Sequence, residues 1–400
     1  MRILLAANAT YLPPRGGSTH SNLVWLHALA RAGHECRIVS PAPDPLVGDD
    51  RIENKGLTIV RIAHLSRRAK VVRDEIEVFQ PDWVLVSSED LSRVLLREAY
   101  HAAPGSLVYL AHTPQFFPFG PESWNPDSEA TEIIRSARAV IAIGHHVAGY
   151  IGQHAGVRAS VIHPPIYGSP PFPRYGRFGS GAILMINPCD VKGIEIFLAV
   201  AERCPDYRFE GLTGWGTTRR DLERMSKLTN VSALQPVADI GEALSRASLL
   251  LMPSLWYEGF GLIAMEAMLG GLPVISSNSG GLVEAKRGTG YVIPVRAIER
   301  YKSEFDENHM PRPVLPEQDI EPWESAVRTL MSDRSAWERE AERSRAAAEE
   351  FASGLRVEEF EKLLLSLKPA GLTPRAKVRA ENLTPAQRAL LLERLRRRKS

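Results

Sequence analysis

LLLMPSLWYEGFGLIAMEAMLGGLPVISSNSGGLVE runs from Leu249 to Glu284, and the organisation of the whole chain can be worked outward from it. Leu249–Met252 is an apolar run that stops at Pro253-Ser254, the length and boundary of a buried parallel strand. After a short loop and Glu258-Gly259-Phe260-Gly261, a helical pattern runs to Leu269, with Ile263, Ala264, Ala267 and Met268 on one face. Gly270-Gly271 ends that helix as a glycine past the C-cap does, and Leu272–Ser276 begins another strand. Two carboxylates frame the turn: Glu258 in the loop before the helix and Glu266 two turns into it.

Glycines let backbone N–H groups approach a phosphate, and a helix N-terminus carries partial positive charge. Carboxylates repel phosphate. They make sense there if they accept hydrogen bonds from sugar or ribose hydroxyls on either side of it. An ordinary βαβ crossing with two solvated glutamates has the same spacing, because short Gly-rich turns between strand and helix are common.

The spelling is more specific than the spacing. Pro253-Ser254, Glu258 to Leu262, Glu266-Ala267, Pro273-Val274-Ile275 and Gly280-Gly281 with Glu284 closely resemble the donor-binding signature of glycosyltransferase family 4. These are retaining enzymes of the GT-B fold, an α/β architecture of two facing Rossmann-like domains with a central cleft. The resemblance implies that Glu258 meets the donor sugar's hydroxyls. It implies that Gly259, Phe260, Gly261 and Leu262 offer backbone N–H groups to sugar and diphosphate, and that Glu266 holds the ribose.

The N-terminal half fits that frame. Arg2–Ala7 reads as a buried strand, a loop with Pro13-Pro14-Arg15-Gly16-Gly17 follows, and a helical pattern runs from Thr19 to about Ala32. Taken alone, Gly16-Gly17 reads as a turn. GGSTHSNLVWLHALARAGHEC resembles the first domain of the same family, whose Gly-Gly loop lines the cleft opposite the donor. Strand-like runs recur at Glu35–Ser40, Leu57–Ile62, Trp83–Ser87, Leu107–Ala111 and Ala139–Ile143, an alternation that predicts a doubly wound parallel sheet. His112 lies just past the end of one such strand, where these folds bind ligands. A lone histidine there is as often structural; in the family, a histidine at the matching place approaches the donor sugar. The aromatic, Pro-rich loop after it reads as acceptor-side.

His163–Gly181 is rich in Pro and Gly and has no period, so it reads as the linker. The domains expected are 1–170 on the acceptor side and 181–350 for the nucleotide sugar. A helix within 351–367 crosses back to the first domain, and 368–400 is a basic tail. The βα pattern restarts at Ala182–Ile186, with strands expected at Tyr207–Glu210 and Val231–Leu234 and helix throughout Glu324–Leu367. Lys192 opens a helix and can reach a diphosphate as a point charge. The family places an arginine five or six residues earlier, where this chain has Asn187; Arg15 beside the Gly-Gly loop is a candidate to supply the charge.

In the tail, Thr384-Pro385-Ala386-Gln387 is a capping box with proline at N1, followed by Leu390, Leu391, Leu392 and Leu395 and a run of arginines. LTPAQRALLLERLRRR resembles linker and docking segments of nonribosomal peptide and polyketide synthases, which implies a carrier-protein or synthase partner.

Composition narrows the classes. The 400 residues, 44% of them apolar, suffice for two α/β domains, and a net charge of +2 is too small to imply a nucleic-acid partner. Three scattered cysteines argue against a disulfide framework or a cysteine zinc site and suit a reducing cytosol. The opening MRILLAANA is too short for a signal-peptide core, and nothing reaches the length of a membrane span, so a cytoplasmic protein with at most peripheral membrane contact is expected.

The expected activity is transfer of a hexose or pentose from a nucleotide diphosphate sugar to an acceptor hydroxyl with retention, with His112, Lys192 and Glu258 at the reacting centre. No metal or cofactor is expected, since Lys192 and helix N-termini can screen phosphate. Two readings of other classes stand beside it: a GT-B nucleotide-sugar epimerase and a non-catalytic nucleotide-sugar binder in an assembly line.

Overall fold

The computed structural model describes residues 1–14, 16–44 and 46–367, so Arg15 and the tail fall outside the described residues. Two parallel sheets dominate. The first has eight strands, numbered in chain order β1 (Arg2–Ala6), β2 (Glu35–Pro41), β3 (Asp50–Asn54), β4 (Leu57–Ile62), β5 (Trp83–Ser87), β6 (Leu107–Ala111), β7 (Ala139–Ala142) and β8 (Ser160–Val161). Their spatial order is β3-β4-β2-β1-β5-β6-β7-β8, and only the β3–β4 pair is antiparallel.

The second has six parallel strands, β9 (Ala182–Ile186), β10 (Phe209–Leu212), β11 (Val231–Leu234), β12 (Ala247–Met252), β13 (Val274–Ser277) and β14 (Val292–Ile293). Their order is β11-β10-β9-β12-β13-β14, the Rossmann arrangement. In each sheet the strand order reverses beside its first strand: between β1 and β5, and between β9 and β12. Crevices at such switch points are where this architecture holds ligands.

Strand periodicity explains how the layers form. In β9, Ile183 and Met185 join one apolar cluster while Leu184 joins the other; in β12, Leu249 and Leu251 oppose Leu250 in the same way. Both faces of the second sheet are therefore covered. The cluster containing Leu184 and Leu250 continues through Phe260, Met265 and Met268 into the core of the first domain.

Four local readings of the sequence need correction. The strand expected at Tyr207–Glu210 is shifted to Phe209–Leu212, because the Tyr207 amide is spent on a turn, donating to the Cys204 carbonyl at 3.2 Å. Glu324–Leu367 is not one helical stretch: helices Glu321–Ser332, Arg334–Gly354 and Glu358–Ser366 are separated at Asp333 and again at residues 355–357. Asp333 caps the second of these through the amides of Ser335 and Ala336. The edge strand β3 went unread, as did the antiparallel hairpin β15 (Tyr301–Phe305) and β16 (Pro311–Pro313), which lies in the Pro-rich excursion.

The Glu358–Ser366 helix lies against the first domain, where Phe360 stacks on Trp25 at 5.0 Å and Glu361 Oε1 meets His34 Nε2 at 2.7 Å. The Pro-rich connection is strapped by buried Arg345, which donates to the carbonyls of Phe172 and Pro173, each at 3.0 Å. The three cysteines are free and buried. No helix among the described residues is long and apolar enough to cross a membrane.

Candidate active site

Lys192 and Glu258 come together at the switch point of the second sheet. Lys192 ends the short turn Asp190–Lys192 after β9, and Glu258 stands in the loop after β12, the neighbouring strand. Lys192 Nζ lies 2.5 Å from Glu258 Oε1, and the same oxygen accepts the Ser254 hydroxyl at 2.5 Å. Trp256 walls the ammonium, its ring centroid 4.4 Å from Nζ, with Trp215 at 5.9 Å. The pair is largely withdrawn from solvent, with side-chain exposures of 17% and 11%. An ion pair in such a place must be closely matched to offset desolvation.

Asn187, the residue in place of the family's arginine, is buried and does a backbone job. Its Oδ1 accepts the Gly216 N–H at 2.9 Å and ties the loop after β9 to the loop after β10. Its Nδ2 has no partner among the described residues.

The Leu262–Leu269 helix starts at the same crevice. Among the described residues, the amides of Gly259, Phe260, Gly261 and Leu262 donate to no backbone carbonyl, so a row of N–H groups remains at the positive end of that helix. The Phe260 side chain is buried and stacks on Phe351 at 5.5 Å, leaving only its backbone for a ligand. Glu266, further along, is largely buried; desolvation, and then the charge of Asp239, push its carboxyl up to about 7.

Across the cleft stands the Gly17–Arg31 helix, whose N-terminus follows Gly16. Gly17 faces Leu262 so closely that a Cβ there would sit 2.8 Å from Leu262 Cδ1. Two helix N-termini thus meet over one space, an arrangement suited to an anion. A Cβ on Gly259 would fall 2.1 Å from the His112 carbonyl oxygen, so only glycine lets the donor-side loop press against the first domain here.

His112 offers the cleft that carbonyl, while its ring turns inward. The imidazole is buried, its Nε2 lies 3.0 Å from Asn22 Oδ1, and burial lowers its pKa. An amide oxygen only accepts, so Nε2 donates to it, and burial favours the neutral form of the ring. Asn22 Nδ2 in turn donates to the Tyr11 hydroxyl at 2.8 Å and to Ser87 Oγ at 3.0 Å. The ring is held by Asn22 and backed by Trp25.

Lys192 meets Glu258 and Gly17 meets Leu262, while Asn187 is tied to Gly216, Gly259 to Gly261 lie between Glu258 and Leu262 in the chain, and Glu266 lies further along the helix; Arg15 lies outside the described residues. Sequence reasoning assigned no role to Ser254, Trp256, Trp215 or Asn22. Ser254 and Trp256 stood in the decisive stretch, and a hydroxyl four residues before Glu258 was the available clue. Asn22 had no signal, being one polar residue on an amphipathic helix.

Comparison with known proteins bears on the fold. Residues 15–167 match the family model described as Glycosyltransferase Family 4, and residues 182–306 match that described as Glycosyl transferases group 1. Sucrose-phosphate synthase from Thermosynechococcus elongatus superposes with a TM-score of 0.66 at 17% identity, over 91% of this chain and 97% of that one. HepE of Anabaena, solved in complex with UDP and glucose, gives 0.63 at 16% identity over 91% and 100%. A glycosyltransferase from Rickettsia africae gives 0.60 at 13% identity over 91% and 97%. No curated protein sequence matches the chain. The chain thus has the GT-B fold of these glycosyltransferase structures, and each half of it matches a glycosyltransferase domain model.

Proposed function

We propose that the protein moves a sugar from a nucleotide diphosphate sugar to an acceptor hydroxyl with retained anomeric configuration. The observation that carries this is the Lys192–Glu258 pair at a switch point, beside free amides of one helix and facing the N-terminus of another. A diphosphate entering the cleft draws the Lys192 ammonium and the amides, which frees Glu258 to accept hydrogen bonds from the donor sugar. The bond from the anomeric carbon to the β-phosphate oxygen breaks as the acceptor oxygen bonds the same face of that carbon. The departing phosphate takes the acceptor's proton. Positive charge growing on the sugar lies by Glu258 and negative charge growing on phosphate lies by Lys192, so the pair stabilises the transition state more than the ground state.

HepE, of the same fold, was solved with UDP and glucose, which supports a nucleotide-sugar donor here. The test is a panel of UDP-, GDP- and dTDP-sugars. One of them is expected to raise the melting temperature by mass action and then to be consumed with an acceptor, the product's anomeric configuration being read by NMR. Interconversion of donor sugars without acceptor would select the epimerase reading, and binding without turnover the non-catalytic one.

In this reading the diphosphate needs no metal, and transfer is expected to continue in EDTA. Strict magnesium dependence would overturn that. Asp49 and Asp50 offer no spare ligand pair for one, since they meet Arg67 at 2.8 Å and Arg61 at 2.8 Å respectively. The acceptor class proposed is a peptide or polyketide natural product or a cell-envelope glycan. The segment 368–400, outside the described residues, is proposed to dock a carrier protein or synthase. Its deletion is expected to leave donor affinity intact and weaken pull-down of a carrier partner; loss of soluble protein would instead tie it to the fold.

A further inference from the structure

Behind the donor-side loop, three side chains from three segments converge where the domains meet. His145 opens the His145–Ala155 helix of the first domain, His163 begins the connecting segment, and Glu284 lies in the short Leu282–Ala285 helix of the second domain. One donor atom from each lies within 4.8 Å of the other two. His163 Nε2 is 2.7 Å from Glu284 Oε1, and the two imidazoles meet edge to face with centroids 5.6 Å apart. The transfer described above gives none of the three a role, although Glu284 closes the stretch that resembles the donor-binding signature.

We propose that His145, His163 and Glu284 form a binding site for a divalent transition metal, zinc by its donor set, that staples the two domains together. Two imidazoles and one carboxylate suit zinc, with water completing a tetrahedron. Bond lengths of about 2.0–2.2 Å place the donors of such an ion roughly 3.3 Å apart. The His163–Glu284 pair needs to open by about half an ångström to reach that separation, and His145 needs to turn inward. His145 is exposed, so its ring can turn without breaking packing.

The other two ligands are already positioned. Glu284 accepts backbone N–H groups of His145 and His146, the latter at 3.2 Å. The His163 ring is wedged edge-on between Phe260 at 5.2 Å and Phe351 at 5.0 Å. Support of this kind around the ligands is what fixes a metal site's geometry. On binding, the ion replaces the proton shared by His163 and Glu284, which leaves to solvent.

The placement gives the ion a structural consequence. Phe260 follows Gly259, the residue pressed on the His112 carbonyl, and Gly144 precedes His145 with Phe260 and Glu284 as its near neighbours. An ion held by His145 and Glu284 therefore ties the first domain to the loop that carries Glu258, and binds the closed arrangement in preference to an open one.

The experiment uses full-length, untagged protein stripped with a chelator and titrated with zinc chloride by calorimetry, with cobalt as a spectroscopic stand-in. One zinc per chain is expected, with a cobalt spectrum of tetrahedral intensity and a melting temperature raised by zinc. His145→Ala, an exposed substitution that leaves the metal-free melting temperature unchanged, is expected to weaken binding at least tenfold and remove the zinc-dependent rise. His163→Ala is expected to weaken binding as much, and His146→Ala to leave it unchanged. Absence of saturable binding, or equal binding by His145→Ala, would overturn the site and leave an ordinary hydrogen bond between His163 and Glu284.

Discussion

The two walls of the cleft are built on the same topology and use opposite chemistry. On the first domain, buried His112, Asn22, Tyr11 and Ser87 form a neutral chain of hydrogen bonds, and burial holds the Tyr11 phenol and the His112 imidazole in their uncharged forms. On the second domain, Lys192, Glu258 and Ser254 form a charged cluster whose members a substrate can re-partner. A neutral network, once satisfied, has nothing to gain from rearranging and makes a fixed surface. A charged pair at a crevice is held only until a better-matched ligand arrives. In the proposed reaction the difference puts the electrostatics on one wall and rigidity on the other.

The largest effect is expected from breaking the charged wall. Glu258→Gln and Lys192→Ala should each lower kcat by about 2–4 kcal/mol, with smaller changes in KM, as preorganised groups facing developing charge do. Because the two residues contact one another, the double variant should lose much less than the sum of the singles. Steady-state kinetics on protein of unchanged circular dichroism measures this. Full kcat in both single variants would move the reacting centre elsewhere.

The neutral wall should respond in stability. Asn22→Ala strands the His112 Nε2–H and removes the donor to Tyr11 and Ser87, three buried polar groups at one stroke. The expected loss is about 1–3 kcal/mol in urea unfolding, with kcat of the remaining folded protein altered less than by Glu258→Gln. If Asn22→Ala abolishes turnover while leaving the unfolding curve in place, this wall takes part in chemistry and the contrast fails.

How far each wall was legible follows from what carries it. β5, β6 and β9 could be read to the residue, since a buried parallel strand is a near-continuous apolar run; β4 and β11 matched as well, though Thr58, Arg61 and Ser232 interrupt their apolar pattern. β3 was not, because an edge strand with the residues Asp50-Arg51-Ile52-Glu53-Asn54 has no such run. Glu258 and the loop glycines were legible through the spelling of one stretch. That Lys192 pairs with Glu258 was not, since the contact joins residues 66 apart through the adjacency of β9 and β12. The inward turn of His112 was hidden for the same reason: its partner Asn22 lies 90 residues away.

The smallest effect expected concerns the second glutamate, and its sign follows from burial. The Glu266 carboxyl is raised to about 7 by desolvation first and by Asp239 second, with Tyr167 and Tyr175 the phenols facing it. A carboxyl whose folded pKa lies above its unfolded value binds its proton more tightly in the native state. Its ionisation therefore costs stability, beginning as pH rises past the unfolded value of about 4.3 and complete above 7. Glu266→Gln should relieve this and stabilise the ligand-free protein at pH 8 by on the order of 1–2 kcal/mol, less than the full shift implies because the residue keeps some contact with solvent. Donor binding should move the other way. Ribose hydroxyls donate best to the ionised carboxylate, so donor KM should fall as pH rises through 7, and Glu266→Gln should flatten that profile with a smaller change in kcat. Asp239→Asn removes the second cause and should shift the midpoint of the wild-type profile downward. A collapse of kcat in Glu266→Gln with an unchanged pH profile for KM would exchange the roles of the two glutamates.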